Sequence, residues 1–170
     1  NKSGQIEIFP IVEMMFNEVS NQVEYVLCPA QISTEINEKA KEIALKVSES
    51  FKQVGLLTVE MFLTHEDEIL INEVAPRPHN SAHYSIENCV NSQFDQHINS
   101  ILDLPLGSSK SNFYAIMINL VGELGYEGQV VYEGIKEAML IDNVKLHIYG
   151  KQKTKPNRKM GHATVLGSNL

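Results

Sequence analysis

Apolar and polar residues alternate in two different periods along this chain. Between Ile36 and Val54 the apolar positions Ile36, Ala40, Ile43, Ala44, Val47, Phe51 and Val54 keep the spacing of one helix face. Ser33 and Thr34 precede them as N-cap candidates, Glu35 sits in the first turn, and Gly55 is placed to end the run. The pattern predicts a helix over 34–54.

Shorter β-forming runs surround that helix. Ile6 to Val12, interrupted by Pro10, and Val23 to Leu27, ended by Pro29, read as strands. "LLTVEMFLT" and "ILINEV" flank the polar turn "HEDE" and read as a β-hairpin. If Glu66 and Asp67 are its central turn residues, Phe62 pairs with Ile71, Leu63 with Leu70, and Glu60 with Glu73. "SIENCVNSQFDQHINSILDL" reads as one or two helical segments ended by Pro105 and Gly107. Phe113–Gly122 then reads as a buried strand, Tyr132–Ala138 as a short helix, and Val144–Tyr149 and "GHATVLG" as closing strands. The expected class is α+β, with an antiparallel sheet carrying Glu60 and Glu73 and the long helix packed on it. Proline, glycine and serine between Leu104 and Ser111 suggest a division into residues 1–106 and a smaller β-rich domain, 107–170.

Composition narrows the class of function. With 43% hydrophobic and 21% charged residues the chain is an ordinary globular sequence, and no apolar run approaches a membrane span. Cys28 and Cys89 fit no metal or redox spacing and read as reduced thiols of a cytoplasmic protein. The net charge of −7 argues against a general nucleic-acid binder. Yet Lys145, Lys151, Lys153, Lys155, Arg158 and Lys159 form a run with no acid, which is either a solvated loop or a seat for a small anion. The first residue is Asn1, in a turn that feeds a strand, as expected of a piece of a larger protein.

The chemistry gathers in "INEVAPRPHNSAHYS", Ile71–Ser85. Two carboxylates opposed across a hairpin repel each other, so Glu60 and Glu73 imply something between them, unless both simply face water. A shared proton is one solution; Mg²⁺ is the better one, because it accepts carboxylate oxygens and leaves positions for phosphate. Asn72 and Asn80 add neutral oxygen donors. Pro76 and Pro78 hold Arg77 between them, as a structural salt bridge or as a fork for an oxyanion. His79 and His83 invite a zinc-protease reading, but Asn80 stands where that motif needs glutamate.

These residues also carry a family likeness. "NEVAPRPHNSAHYSIENCVNSQFDQH" resembles the N5-carboxyaminoimidazole ribonucleotide synthases, ATP-grasp enzymes of purine biosynthesis, and "VGLLTVEMF", "LPLGS", "MINLVG", "HIYGK" and "NRKMGH" agree in order. The resemblance covers essentially the whole chain. It implies the C-terminal half of an ATP-grasp fold and a ligase that phosphorylates bicarbonate with ATP and carboxylates aminoimidazole ribonucleotide. By the same resemblance Glu60 and Glu73 match magnesium ligands, and Asn72 and Glu73 an ATP contact. Arg77, His79 and Asn80 match residues that handle bicarbonate or carboxyphosphate, and Lys151 and Arg158 the pair that grips the substrate's 5′-phosphate. His79 is a candidate acceptor for the amine proton by residue type alone. The family's dimers imply a homodimer, and the absent N-terminal part of the ATP clamp implies that this length alone turns over negligibly. Ala82 stands where the family usually has glycine. A related formyltransferase has Asp-Thr-Gly after the histidine, where this chain has Asn80-Ser81-Ala82. That enzyme and a non-catalytic dimerisation domain are the rival readings.

Overall fold

In the computed structural model, which describes residues 1–168, the centre is an antiparallel sheet of five strands. Its members are β1 (Glu13–Asn17), β2 (Gln22–Cys28), β5 (Tyr114–Val121), β7 (Val144–Ile148) and β9 (Lys159–Gly167), in the order β1-β2-β5-β9-β7. The hairpin of β3 (Thr58–Leu63) and β4 (Ile69–Ala75) stands apart as a two-stranded sheet, and β6 (Gly128–Gln129) pairs with β8 (Lys153–Thr154). The helices are α1 (Thr34–Phe51), α2 (Ser85–Asn88), α3 (Gln93–Ile101) and α4 (Ile135–Met139). The α+β class and most of the expected elements are present.

On β5 the core-facing positions alternate as Ala115, Met117 and Asn119, all buried. The first two join Val26, Cys28, Tyr84 and Cys89 in the main core. Asn119 is the polar end of that face. Both cysteines are free and buried, and burial pushes their thiols up to about 11 for Cys28 and about 12 for Cys89. The five-stranded sheet takes β1 and β2 from one side of residue 106 and β5, β7 and β9 from the other. At that passage Gly107 lies against Asn91, where a Cβ would come within 2.2 Å of the amide, so a larger residue would have to displace the Asn91 side chain from its bond to Ser108 O.

Three expectations need correction. Ile6–Val12 forms no ladder; Pro10 has no N–H to give, and the segment bonds outward to loops instead. Ile11 O accepts Ala30 N–H, and Glu7 accepts from Ser109. Second, α1 has Ser33 as its N-cap, as expected, but stops at Phe51 with Lys52 left-handed (φ 49°), before Gly55. Gly55 (φ 116°) turns the chain towards α3, where its N–H donates to Ser100 Oγ at 2.9 Å.

Third, the hairpin register near the turn is one residue off. The connection is a three-residue loop, His65–Asp67, closed by Thr64 N–H to Glu68 O (2.9 Å), with Asp67 left-handed at φ 58°. Phe62 therefore meets Leu70, and Leu63 meets Ile69. A bulge at Asn72, between the pairs Met61–Ile71 and Glu60–Glu73, then restores the expected opposition of the two acids. Across a cavity of about 580 Å³, Ile36, Ala40 and Ala44 of α1 face Val59, Met61 and Ile69 of the hairpin.

Candidate active site

The hairpin sets the first half of the site. Glu60 and Glu73 are directly paired across it, so both side chains rise from the same face. Glu60 is mostly covered, whereas Glu73 is exposed. The bulge adds Asn72 to this end of the ribbon, with its Nδ2 3.5 Å from Glu60 Oε2. Among the described residues Glu73 has no ion-pair or hydrogen-bond partner for its carboxylate.

Past Ala75 the chain bends at Pro76 and Arg77, where Arg77 N–H donates to Ala75 O at 3.0 Å, and Arg77 is exposed with its Nη1 donating to Pro78 O at 3.2 Å. Arg77 forms no ion pair among the described residues, so the salt-bridge alternative drops away and its fork remains available. His79 follows, its Nε2 3.5 Å from Glu60 Oε1. Its Nδ1 lies 2.9 Å from Ser81 Oγ and accepts the Ser81 N–H at 3.4 Å. A backbone N–H can only donate, so the Nδ1 lone pair is occupied and the proton sits on Nε2, facing Glu60. Burial lowers the His79 pKa and Arg77 lowers it further, while Glu60 opposes both. His79 is thus a neutral hydrogen-bond donor towards the acids. This geometry does not favour the proton-acceptor role expected from residue type, because no lone pair is free.

Asn80 opens a short 3₁₀ turn, Asn80–Ala82, and joins this turn to the main sheet. Its Nδ2 donates to Asn119 Oδ1 (2.9 Å), and its Oδ1 accepts from Lys159 Nζ (2.8 Å). Asn119 Nδ2 in turn donates to Val23 O (2.9 Å). Lys159 is half-buried; burial pulls its ammonium below the usual range, and the Glu60 charge partly restores it. Ala82 has no left-handed φ, so its methyl replaces a glycine hydrogen without backbone strain.

The basic run divides in two. Lys151 donates to the Lys159 carbonyl and lies 5.6 Å from the centre of the Tyr149 ring, beside the Asn80 cluster. Arg158 turns away: its Nη1 donates to Lys153 O at 2.7 Å, and no contact joins it to Glu60, His79 or Asn80. Sequence reasoning missed Lys159, Asn119 and Tyr149. Lys159 was visible only as one cation among six, and nothing in the apolar strand around Asn119 marked it out.

The set fits a hard divalent cation. Two opposed carboxylates with an amide alongside match the oxygen donors Mg²⁺ takes; among the described residues neither forms an ion pair with a lysine or arginine, although the Glu60 charge acts on the nearby Lys159 ammonium. Among the described residues no group of three or more His, Cys, Asp or Glu is placed to hold a metal ion. The described residues include no helix long and apolar enough to cross a membrane.

Residues 1–94 match the ATP-grasp domain, and residues 115–170 the phosphoribosylaminoimidazole carboxylase C-terminal domain. The N5-carboxyaminoimidazole ribonucleotide synthase of Bacillus subtilis is 41% identical over 96% of this chain and 41% of its own length. The N5-carboxyaminoimidazole ribonucleotide synthetase structure from Thermotoga maritima superposes with a TM-score of 0.91 at 47% identity, over 99% of this chain and 45% of that one. An Aspergillus clavatus synthase structure in complex with ADP and 5-aminoimidazole ribonucleotide reaches 0.89 at 38% identity, over 98% of this chain and 44% of that one. The chain thus spans less than half the length of these relatives. In sequence and in shape it belongs to the ATP-grasp family, and over nearly its whole length it is similar to part of the N5-carboxyaminoimidazole ribonucleotide synthases.

Proposed function

We propose that the protein carrying this chain is a carbon–nitrogen ligase that makes N5-carboxyaminoimidazole ribonucleotide in purine biosynthesis. ATP gives its terminal phosphoryl group to a bicarbonate oxygen, forming carboxyphosphate and ADP. The exocyclic amine of aminoimidazole ribonucleotide then takes the carbon dioxide unit as phosphate leaves, and the amine loses a proton. Such chemistry between anions is mostly positioning and charge neutralisation. The observation that carries the reading is the Glu60–Glu73 pair, set beside His79, Asn80 and Lys159 on a chain of this family.

In this reading Glu60 and Glu73 hold Mg²⁺, and Asn72 with Glu73 contacts ATP. Bound there, the cation would neutralise nucleotide phosphate charge. Arg77 offers its unpaired fork to bicarbonate or carboxyphosphate, His79 donates from Nε2, and the Asn80 amide is locked by Asn119 and Lys159. Lys151 and Arg158 grip the 5′-phosphate, which requires Arg158 to leave the Lys153 carbonyl. Residues 1–106 form the catalytic portion and 107–170 the small β-rich domain, a division supported by family matches that end at 94 and resume at 115. The protein works as a homodimer in the cytoplasm, where its free thiols stay reduced.

The test is the full-length protein assayed with aminoimidazole ribonucleotide and bicarbonate, against glycinamide ribonucleotide and formate. ATP turnover in the first pair alone is expected; turnover with formate would overturn the reading. A non-catalytic role predicts that Glu73→Gln leaves turnover untouched. The ligase reading predicts a loss on the order of 10²-fold or more.

A further inference from the structure

α3 is built inside out. Its buried positions are Gln93, Gln96 and Ser100, while Phe94, Ile98 and Leu102 at its end are exposed. Each buried group fastens a backbone segment. Ser100 Oγ accepts from Gly55 N–H, and the Gln96 amide binds both N–H and C=O of Gly107. Gln93 does the same to His79: its Oε1 accepts His79 N–H at 2.9 Å, and its Nε2 donates to His79 O at 3.0 Å. Its own N–H donates to Ser85 Oγ at 3.0 Å, and the capping box of Ser92 and Asp95 fixes the turn from which it projects.

The second hydrogen on Gln93 Nε2 points at His83 Nδ1, 2.8 Å away. Because the amide oxygen is committed to His79 N–H, this contact is donor to acceptor only if His83 Nδ1 keeps its lone pair. His83 must then be neutral with its proton on Nε2. An imidazolium would set N–H against N–H, and rotating the amide to relieve that would break both bonds to His79.

We propose that Gln93 is a positioning residue for the reaction: its buried carboxamide clasps the backbone of His79, and neutral His83 locks the direction of that clasp. The inference rests on the function proposed above for its effect on catalysis, but not for the clasp itself.

The surroundings of His83 favour this state. Its ring stacks on His162 (4.9 Å) and Phe94 (5.9 Å) and meets the Tyr149 edge at 6.2 Å. The charged or chargeable groups that face it are His147, His79, Lys159, His162 and Tyr149, with no carboxylate acting on it. Burial first, then the positive charge that His147, His79 and Lys159 would carry, press its pKa down to about 4.

Three measurements on the full-length protein test the clasp. Imidazole ¹⁵N spectra should show His83 neutral and protonated on Nε2 down to about pH 5.5; an Nδ1–H tautomer, or an imidazolium at about pH 6.5, would overturn it. Gln93→Met should increase amide exchange across 77–83 at least tenfold, and unchanged exchange would refute the clasp whatever reaction the site performs. In turnover, Gln93→Met should lower kcat about 10²-fold with KM for ATP within a few-fold, whereas Gln93→Glu, which keeps the acceptor for His79 N–H, should recover part of that loss. Faster exchange without a change in kcat would leave the clasp standing and remove its role in the reaction. If Gln93→Met does not fold, His83→Asn, whose amide oxygen can replace Nδ1, should keep the 77–83 protection that His83→Leu loses. Equal protection in both would count against the lock.

Discussion

Glu60 and Glu73 are a liability to the fold and, in the proposed function, the reason for the site. Opposed like charges on a hairpin cost a few tenths of a kcal/mol to about 1 kcal/mol, and His79, held neutral, offers little relief. Glu73→Gln is therefore expected to raise ligand-free stability by about 0.5 kcal/mol in urea unfolding, while turnover collapses as argued above. A destabilised Glu73→Gln would show that the pair is already neutralised in the resting protein. Lys159→Met should lower kcat about 10-fold or more, because it frees the Asn80 oxygen and removes a cation beside Glu60; an unchanged kcat would reduce Lys159 to packing. The acids and the turn from Arg77 to Asn80 were legible because hairpin pairing and chain neighbours are local. Lys159 was not, since only the register of β9 against β5 brings it to a turn some eighty residues away in sequence. Arg158, which the family likeness singled out, rests on a carbonyl outside the cluster.

At the scale of elements, periodicity read α1 and the hairpin but not their ends. Cap and turn geometry depend on single φ values that several residue types can adopt. Asp67 is the instructive case: a left-handed residue closes a three-residue loop where the polar letters "HEDE" suggested two. Asp67→Val should cost about 1–2 kcal/mol in urea unfolding, since a β-branched side chain resists that backbone, and Asp67→Gly should cost little. Equal effects would mean that the loop relaxes. Ser33→Ala should cost about 1 kcal/mol by removing the acceptor for Ile36 N–H. The polarity of α3 was the least legible feature. Phe94, Ile98 and Leu102 have the spacing of a core stripe, yet the buried face is the polar one, because its partners are backbone groups rather than side chains.

For the whole molecule, the seam between the early and late parts of the chain is a column of rings. Phe94 and His83 come from before residue 106 and His162 and His147 from after it, with His162 stacked on His147 at 4.5 Å and His147 Nε2 2.6 Å from Glu87 Oε1. His162 is almost wholly buried, and its Nδ1 meets the Tyr149 hydroxyl at 2.9 Å. Its pKa, like that of His83, is pressed down to about 4 by burial first and by the other imidazoles next. The sign of the consequence follows from linkage. Between about 6.5, the unfolded value, and about 4 the unfolded chain binds these protons and the folded chain refuses them. Stability is therefore full above about pH 6.5 and drains away as the pH falls towards 4, by about 2 kcal/mol in all once solvent screening is allowed for. Urea midpoints measured from pH 7.5 down to about pH 5 should show this loss, and His162→Asn, which cannot take a proton but can still accept from Tyr149, should remove about half of the slope. A slope that survives His162→Asn intact would assign the acid sensitivity to carboxylates instead and leave the ring column a matter of packing alone.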